Sequence, residues 1–185
     1  MCSLQATDSL AEEGLMGKCA EIEGVEPPSL VFANPLVEGG LVLFESAALA
    51  VIARHRQLKA GLPESGGILL GCRRGPHLHV IHATQSGSAD RATRVSFVRR
   101  DPCHQAQALR IWKGSRHTVD YLGEWHTHPE GMPSPSSTDH RAWLEILIAS
   151  TSQYVFVIAG TAETLWAGCG QQRRLMPLIP IQPMS

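Results

Sequence analysis

The sequence predicts an α/β fold, a single domain built on a mixed β-sheet. Short apolar runs of strand length interleave with stretches of helical period, and no internal repeat is visible. One run, residues 154–159, is apolar almost throughout, as in a strand covered on both faces. A chain of 185 residues, 43% hydrophobic and 18% charged, can bury the core of such a fold without disulfides.

A first helix is expected over residues 46–60, with Ala48, Val51, Ile52, His55 and Leu58 along one face. Ser46 would cap it, and Gly61 and Pro63 would end it. His55 reads as a hydrogen-bonded packing residue, since nothing beside it completes a site. Residues 66–72 and 77–84 read as two strands joined by a turn at Arg73-Arg74-Gly75-Pro76. Residues 85–94 read as a loop and 95–98 as a third strand. Pro102 suits the first turn of a helix over 102–113 that stops at Gly114. Its apolar stripe is Ala108, Leu109 and Trp112, with Ile111 beside them. A strand over 121–126 and a Pro- and Ser-rich loop over 129–136 follow. A helix over 137–149 then buries Trp143, Ile146 and Leu147, and strands over 154–159, 165–169 and 175–181 complete the chain.

Composition narrows the functional classes. A net charge of −1 gives no electrostatic ground for nucleic-acid binding, and the pairs Arg73-Arg74 and Arg99-Arg100 read as solvated charge. No apolar run approaches the roughly 20 residues of a membrane span. The first thirteen residues lack the basic-then-apolar order of an export signal, so a cytoplasmic protein without a membrane partner is expected. The five cysteines are odd in number, widely spread and never spaced C-x-x-C, which suits buried free thiols. Residues 1–40 carry seven acids against Lys18, a net charge of −6, and leave +5 on the remainder. An acidic N-terminal extension over 1–40 and one domain over 41–185 are therefore expected.

The segment Glu124-Trp125-His126-Thr127-His128-Pro129, continuing to Ser136 and Asp139, carries the chemistry. Residues two apart on a strand share a face, so His126 and His128 can offer both imidazoles to one metal ion. Asp139 follows eleven residues after His128, and a proline-rich loop can fold its carboxylate back beside them. Two imidazoles and one carboxylate leave the fourth tetrahedral position to water, as in catalytic zinc sites. Each part also has a structural explanation. Ser136 and Asp139 make an S-x-x-D capping box for the following helix. A second H-x-H pair, His77-Leu78-His79, has no suitably spaced acid after it and is left out of the site.

Together these residues read H-x-H-P-x₆-S-x-x-D, and the chain resembles the JAMM (JAB/MPN-plus) zinc metallopeptidases over roughly residues 41–170. That family places a glutamate upstream in the setting E-x-x-G-x-L-x-G, and Glu64-Ser65-Gly66-Gly67-Ile68-Leu69-Leu70-Gly71 is similar to it. The resemblance implies an MPN-like curved, mixed sheet flanked by helices. It implies Zn2+ held by His126, His128 and Asp139, with Glu64 as general acid/base. It also implies that Ser136 helps to stabilise the tetrahedral intermediate.

Residues 123–129, the run Pro133-Ser134-Pro135-Ser136-Ser137 and Trp143 are similar to bacterial JAMM peptidases encoded beside ubiquitin-like conjugation machinery, those of CBASS antiphage operons above all. This resemblance implies an isopeptidase that reverses conjugation of a cyclic-nucleotide synthase. Deconjugation of a bacterial ubiquitin-like protein and trimming of a sulfur carrier are alternatives of the same chemistry. A binding module with a purely structural zinc is a further one.

Overall fold

The computed structural model describes residues 27–181. Eleven strands and three helices run in the order β1 (Leu30–Ala33), β2 (Leu41–Phe44), α1 (Ser46–Arg54), β3 (Gly66–Arg74), β4 (His77–Ala83), β5 (Arg91–Thr93), β6 (Ser96–Val98), α2 (Cys103–Gly114), β7 (Asp120–Thr127), α3 (Ser137–Ile148), β8 (Tyr154–Ala159), β9 (Leu165–Gln171), β10 (Arg174–Pro177) and β11 (Ile179–Pro180). Nine strands form one sheet in the order β10-β9-β8-β7-β3-β4-β2-β1-β11, and β5 and β6 form a separate hairpin. The sheet is mixed, as expected: β2 with β4 and β7 with β8 are parallel, and the other pairs are antiparallel. No described helix is long and apolar enough to cross a membrane.

Alternation along the strands divides the core in two. One face of the sheet packs against α1, where Ala48, Leu49 and Ile52 meet Phe44, Leu69, Val80, Val155 and Val157. On the other face Ile68 and Leu70 gather Ala108 and Ile111 of α2, while Phe156 and Ile158 gather Trp143 and Leu147 of α3. Strand β8 is thus covered on both sides, which is why its sequence is apolar throughout.

Several expectations need correction. The sheet begins before residue 41: β1 pairs with both β2 and β11, and Phe32 is buried. Residues 30–40 therefore belong with the domain, while the acidic stretch before residue 27 lies outside the described residues. Helix α1 ends at Arg54 rather than at residue 60, and Leu58, expected on its buried face, is 69% exposed. Its N-cap is Glu45 without a side-chain cap bond, not Ser46. In α2 the inward stripe is His104, Ala108 and Ile111, and Leu109 is 47% exposed. The helix is rolled this way because the buried His104 ring bonds Asp90 at 2.9 Å and Thr84 at 2.6 Å. Burial alone would raise the Asp90 carboxyl, but donors from Asp101, His104, Arg100 and Gly87 outweigh it and bring it down to about 2. Residues 91–93, read as loop, form β5. Of the cysteines, Cys72 and Cys169 are buried free thiols and Cys103 is an exposed one; Cys2 and Cys19 lie outside the described residues. His55 packs as expected, bonding the Val51 carbonyl at 2.8 Å and meeting Trp125 edge-on at 5.9 Å.

One irregularity in β7 decides where the site can form. Leu69 of β3 faces Gly123 and Leu70 faces Tyr121, so Leu122 is an extra residue, a β-bulge. The bulge shifts the phase of the strand. Leu122 and Trp125, three apart, both enter the α1-side core, and His126 is sent to the opposite face, where its ring lies 5.7 Å from Trp143. Gly123 makes this possible. Its φ of +148° disfavours any side chain, and a Cβ there would meet the Val155 carbonyl oxygen at 1.8 Å.

Gly123→Ala is therefore expected to destabilise the fold by about 2–4 kcal/mol. Gly114→Ala, where a Cβ meets nothing within 4 Å, should stay within about 0.5 kcal/mol of the parent. Urea unfolding of the two variants checks the order.

Candidate functional site

The site sits where β7 ends beside its parallel neighbour β8, the edge of an α/β sheet at which side chains and loops are free to converge. His126 is the second-last residue of β7, and His128 follows with its N–H donated to the Ala159 carbonyl of β8 at 3.0 Å. Between them Thr127 locks the strand end to the start of β3. Its N–H donates to the Ser65 carbonyl and its hydroxyl accepts from the Ser65 N–H, both at 2.9 Å. Both histidines are buried. The third member arrives on α3, whose first turn is a capping box: the Asp139 N–H donates to the Ser136 hydroxyl at 3.2 Å, and the Ser136 N–H donates to Asp139 Oδ2 at 2.7 Å.

Three donor atoms converge. His126 Nε2 lies 3.1 Å from His128 Nε2 and 3.2 Å from Asp139 Oδ1, while His128 Nε2 lies 3.4 Å from Asp139 Oδ2. Ligands about 2.0–2.1 Å from a tetrahedral ion stand about 3.3 Å from one another, so these separations fit a metal ion held by all three groups. Two nitrogens and one oxygen would leave an open position. The cluster is compatible with a metal site, and the residues fit the ion that the motif implies. Burial pushes the Asp139 carboxyl up, but hydrogen bonds with His126, His128 and Ser136 more than offset it and hold the group well below the usual carboxylate range.

Glu64 stands in the irregular segment just before β3. It is 5% exposed and lines the same cleft of about 360 Å³ as His126, His128 and Asp139. Burial pushes its carboxyl up to about 7, with His128 pulling it down and Asp139 adding to the rise. Ser136 also lines this cleft, so the structure brings all five expected residues together. The Ser136 hydroxyl is already engaged, however, donating to Asp139 Oδ2 at 2.6 Å. The helix cap of S-x-x-D is thus present, and the same two residues line the cleft. The second H-x-H pair serves elsewhere, His79 pairing with Glu45 at 2.6 Å and His77 accepting the Leu41 N–H at 3.2 Å.

The sequence did not reveal the far wall of the cleft. Val95, Ser96 and Phe97 of the β5–β6 hairpin form it, and Arg99 beyond the hairpin pairs with Glu124 of β7 across one side. The hairpin turn at Arg94-Val95 lacks the Gly or Asn that marks most tight turns, and its three-residue strands are exposed but for Phe97, so the sequence carries little signal of it. Gly67 of the glutamate motif has a packing reason, since a Cβ there would meet the Thr84 carbonyl oxygen at 2.2 Å.

A family model described as prokaryotic homologs of the JAB domain matches residues 45–172. The chain belongs to this family. Three relatives, each named CD-NTase/cGAS isopeptidase, match most of it. The protein from Vibrio cholerae is 38% identical over 132 residues, 67% of this chain and 83% of the relative. That from Pseudomonas aeruginosa is 32% identical over 136 residues, 66% and 86% of the two chains. That from Escherichia coli is 35% identical over 127 residues, 69% and 80%. The solution structure of a Desulfitobacterium hafniense protein is 22% identical, with a TM-score of 0.48 and coverage of 68% of this chain and 81% of that one.

Ser136→Ala removes both the cap and a donor to Asp139. It should cost about 1 kcal/mol of stability and weaken metal binding about tenfold or more. Thermal melts and a metal titration, run on the same variant, separate the two effects.

Proposed function

We propose that this JAB-family chain is a zinc-dependent isopeptidase that frees the C-terminus of a CD-NTase, a cyclic-nucleotide synthase, from the protein to which it has been conjugated. The observation that carries the chemistry is the convergence of His126, His128 and Asp139 in one cleft with the buried Glu64. The substrate rests on the relatives' name, shared by proteins that this chain covers over at least 80% of their length.

His126 Nε2, His128 Nε2 and an Asp139 oxygen would hold the ion. When bound there, zinc supplies Lewis acidity toward the scissile carbonyl and toward water. Glu64 takes the proton from the attacking water and returns it to the departing amine, with no covalent enzyme intermediate and no part for the cysteines. Its burial keeps the carboxyl in a range where both transfers run near neutral pH. Ser136 orients Asp139 through two hydrogen bonds, and it can donate to the developing oxyanion only once its hydroxyl leaves Oδ2. Glu64 shares the cleft with Val95, Ser96 and Phe97 of the hairpin and is itself buried. The free thiols of Cys72, Cys103 and Cys169 suit a reducing cytoplasm.

The test is cleavage of a reporter fused after the C-terminus of a CD-NTase, with the cut located by intact-mass spectrometry. Cutting at the junction by the zinc-loaded protein, lost on chelation, is the expected result. No cutting by a folded, loaded protein sinks the substrate assignment, and ubiquitin-like and sulfur-carrier fusions in parallel reveal whether the alternative substrates are taken instead. Glu64→Gln should lower kcat by about 10²- to 10⁴-fold while leaving metal content unchanged.

A pH–rate profile adds a second check. Glu64 must be ionised to accept a proton, so activity falls as pH drops through its pKa. Burial holds that pKa up, at about 7 against a usual 4.5, and a cation on the neighbouring ligands draws it down. The acid limb of kcat/KM should therefore lie between these two values and be absent from the residual activity of Glu64→Gln.

A further inference from the structure

Gln57 is a buried polar residue that nothing in the zinc motif accounts for. It follows the end of α1, in the irregular segment leading to β3, and is 3% exposed. Its Nε2 donates to two carbonyls, that of Leu62 at 2.9 Å and that of Arg94 at 2.9 Å. Leu62 lies two residues before Glu64, and Arg94 begins the turn between β5 and β6. The neighbouring residue on the hairpin, Thr93, accepts the Glu64 N–H at 2.7 Å. Two ties therefore run side by side between the backbone that carries Glu64 and the hairpin that walls the cleft. One is a backbone bond made by Glu64 itself, and the other is the Gln57 carboxamide.

The geometry spends both Gln57 donors on this junction. The segment is fixed from the other side as well, because His55 packs on Trp125, the residue before His126. The stretch from residue 55 to residue 64 thus spans from the strand of the histidines to the carboxylate.

We infer that Gln57 is a positioning residue for Glu64, clipping the Glu64 segment to the β5–β6 hairpin so that the carboxylate is held at a fixed place in the cleft. This rests on the reading of Glu64 as the proton carrier. Without the clip, Glu64 keeps its own backbone bond and the Ser65–Thr127 pair of bonds after it, but the segment before it gains freedom, and a displacement of about 1 Å costs on the order of a hundredfold in rate. The proposed metal ligands stand on β7, on the residue just after it and on α3 and are untouched, so ion binding is unaffected.

Gln57→Leu and Gln57→Met keep the side-chain bulk and remove both donors. Asn34→Ala is the control for destabilisation alone, since it removes a buried amide that bonds Gln153 and Leu36 outside the cleft. Both Gln57 variants should lose about ten- to a hundredfold in kcat with KM and metal content unchanged. Amide hydrogen exchange should quicken at Glu64 and stay slow at His128, and Asn34→Ala should keep wild-type kcat. Wild-type kcat in both Gln57 variants, or an equal loss in Asn34→Ala, overturns the inference. Should the wild-type protein cleave no conjugate, the proposed function fails on its own. The exchange at Glu64 then still decides, unchanged protection in Gln57→Leu overturning the clip and faster exchange confined to that segment supporting it.

Discussion

The bulge at Leu122 reconciles two demands that a regular β7 could not meet. Leu122 and Trp125 must both enter the core beneath α1, and in a strict two-residue alternation one of them would point the other way. Had the phase of Leu122 simply continued, His126 would face that same apolar core. The extra residue reverses the phase, and His126 emerges toward α3 instead. Gly123, with its positive φ and its backbone against the Val155 carbonyl, is the local condition for this reversal. The placement of His126, and of His128 after it, follows from this reversal.

Around that reversal, the first turn of α3 serves structure and site with the same atoms. A capping box satisfies backbone donors at a helix start by pairing a hydroxyl and a carboxylate. Here the carboxylate belongs to Asp139, and the bonds from Ser136 leave its Oδ1 facing His126 Nε2 at 3.2 Å. The orientation that the proposed metal ligand needs is thus supplied by the bonds that start the helix. Trp143, one turn further along, stacks on Phe156 at 4.7 Å and on Trp166 at 5.6 Å, which seats the helix on β8 and β9. Fixing α3 in this way fixes Asp139.

Much of this was legible in the sequence because its signals are local. The strand runs up to residue 171, the helix over Ser137–Ile148 and the motif from His126 to Asp139 each depend on residues within a few turns of one another, and the structure has them where the spacing put them. The strand expected over 175–181 is instead two, β10 beside β9 and β11 beside β1 at the opposite edge of the sheet. What was not legible depends on partners far along the chain. Helix α1 stops early where His55 turns to Trp125 and Gln57 turns to Arg94, 37 residues on. Helix α2 is rolled by His104, whose partners Asp90 and Thr84 sit 14 and 20 residues before it. Strand β1 is only four residues long and follows directly on the acidic stretch, and of its two partners β11 is at the other end of the chain. The hairpin wall has a turn without the usual residues, and the bulge at Leu122 has no sequence signature beyond a glycine.

The account stands or falls on whether His126, His128 and Asp139 bind one ion together, open toward Glu64. Anomalous X-ray diffraction at the zinc edge, from crystals of the zinc-loaded protein, tests this directly. The expected map has one peak within about 2.0–2.2 Å of both Nε2 atoms and an Asp139 oxygen, with a fourth position facing the cleft. A peak elsewhere, or an ion closed off by a fourth protein ligand, would contradict the account.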